Sequence, residues 1–490
     1  MIFMALLAWV VQTKAREGFV RGMLQTAGSS RKNPFALVAH PFLQDSALPF
    51  TQVLTAEAIE QAFAQNQALF GQRDIFSTPV VLWAFLAQVL RDGKGAACAA
   101  AVADIAVYLQ QTGQRVPSGD TGDYCRARAK LSRAALHALV GQTARQLDEA
   151  ACEDWRWRGL RARLVDAFTF TRPDTPENQQ QFPQAKSQRP GLGLPIARAG
   201  AVLSLATGAI HDLALGPYQG QKTGQTALLR EILDGFQDGE VVVFDRYFCS
   251  FMMLALLSLR GVHVCTRLHQ RRDSDFRRGR RLGDHDHLVT WTRPQRPAWM
   301  SPDWYEQIPL TLTLREMQFR VVAPGRRTET ITVITTLTDP TAYPQADIAA
   351  LYGFRWNAAL DLRDIKQTLS LDQVRCKTPA RVQLELWTTL LAYNLIRKVI
   401  ATSAAVHGKQ PRQLGFTLAC QTILSLWMLL SAGACRHVRQ SWDSALERIA
   451  SHEVGNRPGR IEPRALKRRR RRYPLLTSAR QELRQNLCTT

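Results

Sequence analysis

Residues 239–248 read GEVVVFDRYF, and this stretch decides the fold. Its apolar run, 241–244, has no polar interruption, which is typical of a short strand buried on both faces of a parallel sheet. Residues 163–170, RLVDAFTF, form a second β-type run. The sequence therefore places Asp166 inside one predicted core strand and Asp245 at the end of another.

Strand and helix patterns alternate on both sides of this stretch. Residues 200–217 alternate and turn at Thr207-Gly208 as a hairpin does, 251–261 are helical, and 262–269 form another strand. The alternation predicts a mixed α/β fold. Six segments follow from the patterning: an N-terminal extension of weak pattern, a helical and DNA-binding domain, a first core part, a β-rich insertion, a second core part and a basic tail (1–47, 48–155, 156–268, 269–340, 341–445 and 446–490).

The charge balance indicates a polyanionic partner. The 490 residues include 63 Lys and Arg against 41 Asp and Glu, a formal net charge of +22. Nucleic acid is the first expectation, an anionic membrane surface the second, and a merely solubilising surface the third reading. The runs at 126–130 and 467–472 are basic, and each is either a phosphate-binding surface or a solvated one.

The cysteine spacing and the length of the apolar runs indicate the cellular compartment in which the protein is expected. The nine cysteines are widely spaced and lack a C-x-x-C pair, which argues against a disulfide framework and a zinc ribbon and favours a reducing compartment. No apolar run reaches 18 residues, and 1–11 is too short to span a bilayer. We therefore expect a soluble, cytoplasmic protein without a membrane partner.

The two aspartates suggest chemistry. An ionised aspartate at a core strand end is costly unless it is paired or bound to a metal. Asp166 and Asp245 on neighbouring strands would offer hard oxygen ligands for Mg²⁺, with Mn²⁺ as a substitute. For either aspartate alone, a strand-end cap or an ion pair is the competing interpretation. A metal site in the charged loop 284–287, DHDH, competes with a simple solvated loop.

Residues 352–366, YGFRWNAALDLRDIK, carry a spaced motif. Tyr352 and Arg355 are three residues apart, position 359 follows four later, and Lys366 seven after that. On one continuous helix these positions would share a face. The spacing is that of the Y-x2-R-x3-E-x6-K signature, so the chain resembles DDE transposases of the insertion-sequence-4 type. The resemblance extends over about 48–475, including VDAFTFTRPDTPENQQQFPQ and LDQVRCKTPARVQLELWTTLLAYNLIR.

That resemblance implies an RNase H-like core in which three acidic residues bind two metal ions. By position, Asp166 resembles the first acid and Asp245 the second. The position of the family's glutamate holds Ala359. On a regular helix neither Asp361 nor Asp364 reaches the same face without a register shift. The resemblance thus implies a transposase that lacks the third carboxylate.

The resemblance also implies how DNA would be held. Double-stranded DNA, both the transposon ends and the target, is the implied partner, and a homodimer would bring two ends together. Tyr352, Arg355 and Lys366 would contact the backbone near the cleaved end, with Arg246 beside the second acid. Trp291 of the insertion would stack on an extruded base, unless it is a core residue.

Three functions remain open on the sequence. The first is a transposase that binds element ends but is defective in cleavage because of Ala359. The second is a DNA-binding or regulatory relic that retained the scaffold for binding alone. The third is a general metal-dependent nuclease that uses Asp166 and Asp245.

Overall fold

The computed structural model describes residues 56–66, 68–71, 75–111, 115–220, 223–321, 329–431, 438–454 and 476–489. The chain forms two compact units. The first comprises Ala206–Asp212 and Asp361–Val454 together with the described residues up to Arg156. The second comprises Trp157–Leu205 and Leu213–Leu360 together with the described residues from 476 onwards. The extension 1–47 and the basic run 467–472 lie outside the described residues.

The first unit is helical. Its helices are α1 (Ala56–Gln65), α2 (Thr78–Val89), α3 (Cys98–Gln111), α4 (Gly122–Ala129), α5 (Arg133–Glu149), α12 (Pro379–Val406), α13 (Phe416–Ser431) and α14 (Val438–Ala450). Helix α12 is buried along most of its length. Its Asn394 side chain is fully buried and donates to the carbonyl oxygens of Val140 and Ile210. Every polar atom of that amide is satisfied because Ile210 N–H also donates to its oxygen.

The basic run at 126–130 is not simply a solvated face. Arg128 is 9% exposed, donates to Gln88 Oε1 at 2.8 Å and lies over the Phe85 ring at 4.8 Å. The expectation that Arg128 faces solvent or DNA is therefore wrong, because its guanidinium group makes its contacts inside the helical unit. Arg126 remains exposed beside Asp123.

Most of the sheet belongs to the second unit, although the first three residues of its third strand are assigned to the first. Its strands are β1 (Arg161–Thr171), β2 (Ile196–Ser204), β3 (Ile210–Pro217), β4 (Glu240–Phe244), β5 (His263–Arg267), β6 (Arg280–Gly283), β7 (Asp286–Thr292), β8 (Thr311–Val321) and β9 (Glu329–Thr335). The helices of this part are α6 (Pro176–Gln181), α7 (Gln225–Glu231), α8 (Phe251–Ser258), α9 (Pro302–Glu306), α10 (Gln345–Gly353), α11 (Trp356–Arg363) and α15 (Arg480–Thr489). Helix α11 runs on past Leu360 into the first unit. Helices and a large sheet make the fold mixed α/β, as the sequence predicts.

The strand order is β3-β2-β1-β4-β5-β9-β8-β7-β6. Strands β1, β4 and β5 are parallel at the centre, and the other pairs recorded in the sheet are antiparallel. Every residue of β4 is buried, which confirms the two-sided burial predicted from its apolar run. The hairpin at Thr207-Gly208 is also confirmed, because β2 and β3 flank it.

The β-rich stretch continues the core sheet. Strand β9 pairs with β5, so that Thr266 lies opposite Ile334. The strands that the sequence predicts as an insertion are therefore joined edge to edge with the core. Their apolar face packs into the same cluster as α8, which explains why Trp291 is buried there.

The segment that carries the spaced motif is not one continuous helix. Helix α10 ends at Gly353, Phe354 and Arg355 form a turn, and α11 begins at Trp356. Residues 364–368 then form a π-helical turn. The expectation of one continuous helix is therefore wrong, and the turn and the wider helix each change the angular register along the motif. Within the described residues, no helix combines the length and apolarity that membrane crossing requires.

Candidate active site

Strand pairing brings Asp166 and Asp245 to one place. In the parallel pair of β1 and β4, Leu164 lies opposite Val243. Asp166 and Asp245 each follow two residues later, so both side chains lie on the same face at the same level. Strand β4 ends at Phe244, and Asp245 begins a short 3-10 turn in which the Phe248 N–H donates to the Asp245 carbonyl oxygen at 3.0 Å. The site is therefore built where the two strands separate.

Burial and nearby charges both act on the Asp166 carboxyl group. Burial raises the pKa of Asp166, and the negative charge of Asp245 raises it further. The Ala167 N–H, which donates to Asp166 Oδ1 at 2.8 Å, and the positive charge of Arg355 oppose the rise. Two carboxylates that repel each other are stabilised by a cation placed between them.

Tyr352 and Arg355 belong to the same group of residues. Tyr352 is 9% exposed, and burial, with a smaller contribution from Asp245, raises its pKa to about 12. Its hydroxyl therefore stays protonated at neutral pH and can donate a hydrogen bond. The Arg355 guanidinium carbon lies 5.9 Å from the Tyr352 ring centroid and 4.5 Å from the Trp356 ring centroid.

Arg355 has an unsatisfied donor. Its Nε is buried and has no hydrogen-bond partner among the described residues. A buried donor without an acceptor costs about 1–3 kcal/mol. An anionic oxygen from outside the chain, such as a phosphate oxygen, would remove that cost and match the flat guanidinium group.

Position 359, which the sequence leads us to expect as the third acid position, holds alanine. Ala359 is partly exposed on α11. In the described part of the chain, no three histidine, cysteine, aspartate or glutamate side chains are grouped so as to hold a metal ion. Asp166 and Asp245 fit a single hard divalent cation, whereas a second ion would lack carboxylate ligands.

The nearby aspartates in sequence are engaged elsewhere. In the first unit, both Asp361 oxygens accept from arginines, Oδ1 from Arg397 and Oδ2 from Arg412. Asp364 lies 4.0 Å from Arg397, and burial raises the pKa of its carboxyl group. A π-helical register shift does follow position 359, but the carboxylates near it are held by arginines. Lys366 lies in that π-helical turn, partly buried.

The aromatic residues are placed differently from expectation. Trp291 is 8% exposed in the hydrophobic cluster, with the Arg272 guanidinium over its ring at 3.7 Å. This position favours the core alternative over base stacking. Trp356 is 60% exposed, directly after Arg355. Sequence reasoning missed Trp356, although an aromatic residue beside the motif arginine is a readable signal.

Two candidates remain, Arg246 and the charged loop 284–287. Arg246 is partly exposed in the 3-10 turn after Asp245. In the loop 284–287, Asp286 is buried against Arg315, and His287 is buried between Glu316 and the Arg278 carbonyl oxygen. The side chains of Asp286 and His287 thus contact other residues of the chain. Neither the predicted metal site nor the alternative of a solvated loop describes these two residues.

Comparison with known proteins shows which proteins this chain is similar to. The Transposase DDE domain family matches residues 157–395. Over 355 residues the chain is 28% identical to the transposase InsG for insertion sequence element IS4 of Escherichia coli (strain K12), covering 71% of this chain and 77% of that protein. A cryo-EM structure of the piggyBac transposase synaptic complex with hairpin DNA aligns with a TM-score of 0.42 and 10% identity, over 84% of this chain and 87% of that one.

Proposed function

The chain belongs to the DDE transposases of the insertion-sequence-4 type, and from this premise we propose that it binds the ends of its element without cleaving them. The observation that carries the proposal is that Asp166 and Asp245 each lie two residues beyond the paired Leu164 and Val243, while position 359 holds alanine. We assign β1, β4 and β5 to an RNase H-like core.

The family reaction is a phosphoryl transfer in two steps. Water attacks the phosphodiester at the element end, the P–O3′ bond breaks, and the 3′ oxygen leaves with a proton. The freed 3′-hydroxyl then attacks a phosphodiester of target DNA, the target's own P–O3′ bond breaks, and its 3′ oxygen leaves with the proton that the attacking hydroxyl gives up. Side chains form no covalent bond in such transfers, so their work is positioning and charge neutralisation.

We assign roles from the geometry. Arg355 would donate to a phosphate oxygen near the cleaved end, because its buried Nε lacks an acceptor. Tyr352 would donate from its protonated hydroxyl, whose pKa burial raises further, to about 12. Arg246 and Lys366 would add positive charge to the DNA surface. Trp356 would stack on an exposed base, in place of the buried Trp291.

The metal assignment is limited to one ion. Asp166 and Asp245 would hold Mg²⁺, or Mn²⁺ in its place, through carboxylate oxygens. When bound, the ion would supply positive charge to the phosphodiester oxygens. Ala359 offers no third carboxylate, so the two-metal arrangement of the family does not fit this chain. We therefore propose that cleavage fails while DNA binding is kept.

The alternative is a DNA-binding or regulatory relic. It differs from the first proposal in what replacing Ala359 by glutamate does: a disabled transposase regains end cleavage, and a relic does not. A general nuclease using Asp166 and Asp245 is a third candidate, and it requires nicking of unrelated DNA by the unaltered chain. We place the protein in the cytoplasm with the DNA, as a homodimer when two ends are joined.

End binding is tested by nuclease footprinting on DNA that carries the element's own flanks. We expect the unaltered chain to protect the ends and to leave both strands intact in Mg²⁺ or Mn²⁺. Asp245→Asn serves as the control, because it alters the metal site and keeps the arginines. Protection of unrelated DNA to the same extent, or cleavage that Asp245→Asn removes, would contradict the proposal.

A further inference from the structure

A dense arginine segment lies far along the chain from the aspartates. Residues 271–281, called here the arginine loop, contain six arginines against two aspartates. The loop leads into β6, the edge strand of the sheet. The side chains of Arg277 and Arg278 are 91% and 86% exposed. The loop is therefore a compact, solvent-facing cationic surface.

Most of that charge is not neutralised by the protein. Asp275 lies 2.9 Å from Arg277 and 3.3 Å from Arg278, and its hydrogen bonds to Arg277 lower the pKa of its carboxyl group. Arg280 and Arg281 have no carboxylate partner among the described residues, and Arg281 donates to the Gly283 carbonyl oxygen. Several guanidinium groups are thus available to an anion from outside.

The backbone of the loop is held in one arrangement. The Phe276 ring lies 4.6 Å from the His287 ring and 5.4 Å from the His285 ring. His287 is 1% exposed and bonds the Arg278 carbonyl oxygen at 2.6 Å on one side and Glu316 at 3.2 Å on the other. A charged run that merely keeps a protein soluble does not need such anchoring.

Gly279 packs tightly against the backbone of strand β7. Its φ is +76°, in the region that favours glycine, and a Cβ there would lie 2.1 Å from the Leu288 carbonyl oxygen. The strand β7 backbone therefore packs directly under the loop. Any side chain at this position must push the arginines away from their present places.

We propose that the arginine loop docks on the phosphate backbone of double-stranded DNA. The inference rests on the proposed function and names a surface of this chain that holds the substrate. Guanidinium groups bind phosphate bidentately, and an anchored backbone reduces the entropic cost of bringing several of them to one surface. Because phosphate contacts carry no sequence information, the loop contributes affinity and register on any duplex.

The test is the salt dependence of DNA binding by the full chain. Affinity for a short fluorescent duplex is measured by anisotropy across a salt series for the unaltered chain and for Arg280→Gln/Arg281→Gln. The matched control is Arg480→Gln/Arg484→Gln, which removes the same charge from exposed positions of α15. Each lost phosphate contact lowers the slope of log affinity against log salt by ~0.9, so the loop variant loses about 2 and the control loses nothing.

A second variant separates placement from charge. Gly279→Ala keeps all six arginines, and we expect it to weaken binding several-fold with an unchanged circular dichroism spectrum. An unchanged slope in Arg280→Gln/Arg281→Gln, or an equal loss in the α15 control, would overturn the proposal. If the unaltered chain binds no duplex at all, the proposed function fails as well, so the two failures are distinguishable.

Discussion

Replacing Asp361 by alanine separates a structural carboxylate from a catalytic one. Asp361 is 2% exposed, and its two oxygens accept from Arg397 and Arg412. Arg397 is itself buried, and its Nε donates to the Tyr393 hydroxyl at 2.7 Å. Asp361→Ala therefore leaves a buried guanidinium without its principal counter-charge.

The expected cost follows from these contacts. Removing one partner of a buried ion pair destabilises a protein by about 3–5 kcal/mol. The Arg412 side chain is 16% exposed, so water replaces part of its lost contact. Asp364, 4.0 Å from Arg397, and the Tyr393 hydroxyl keep some of the remaining charge satisfied. We therefore expect the lower end of the range, a loss of about 3 kcal/mol in the free energy of unfolding.

Urea denaturation followed by circular dichroism measures this loss. Glu453→Ala is the matched control in the same unit, because it removes an exposed partner of Lys409 and should cost less than ~1 kcal/mol. Adding Arg397→Met to Asp361→Ala should recover more than about 1 kcal/mol, since no unpaired charge then remains buried. A loss no larger than that of the control would refute the reasoning and reopen Asp361 as the missing acid.

Three further predictions concern base stacking, core packing and pH. Trp356→Ala should weaken DNA binding by about 1–3 kcal/mol in anisotropy titrations and leave the melting temperature unchanged, because the ring is exposed. Trp291→Ala should instead cost about 3–5 kcal/mol of stability in urea denaturation, because the ring fills the core. Burial lowers the pKa of His263 below its unfolded value of about 6.5, so protonation favours the unfolded chain. The unaltered chain should therefore lose stability relative to His263→Asn as the pH falls from about 7 to 5, and parallel curves would contradict this.

Local sequence patterns are sufficient to predict the core strands and the positions of the two aspartates on them. The apolar run 241–244 predicts a buried strand because no helix period interrupts it, and Asp245 follows from where that run ends. The pairing of β5 with β9 joins residues about 70 positions apart, so no local pattern reports it. For that reason the β-rich stretch looked like a separate insertion.

The site differs from the sequence-based expectation at residues whose position is set by contacts distant in sequence. The helical period continues through Phe354 and Arg355, yet the chain turns there. Trp291 is buried because the sheet carries it into the cluster around α8, and its own neighbours in sequence are exposed or partly exposed. Asp361 resembles a surface residue until Arg397, 36 residues later, is placed beside it. Such contacts depend on the assembled fold.

Restoring the third carboxylate tests the central claim most directly. The measurement is strand cleavage in Mg²⁺ and in Mn²⁺ at element ends by the Ala359→Glu variant beside the unaltered chain. We expect 3′-hydroxyl ends from the glutamate variant alone, and their loss when Asp245→Asn is added. Cleavage by both chains would contradict the account, because position 359 would then not hold the missing acid.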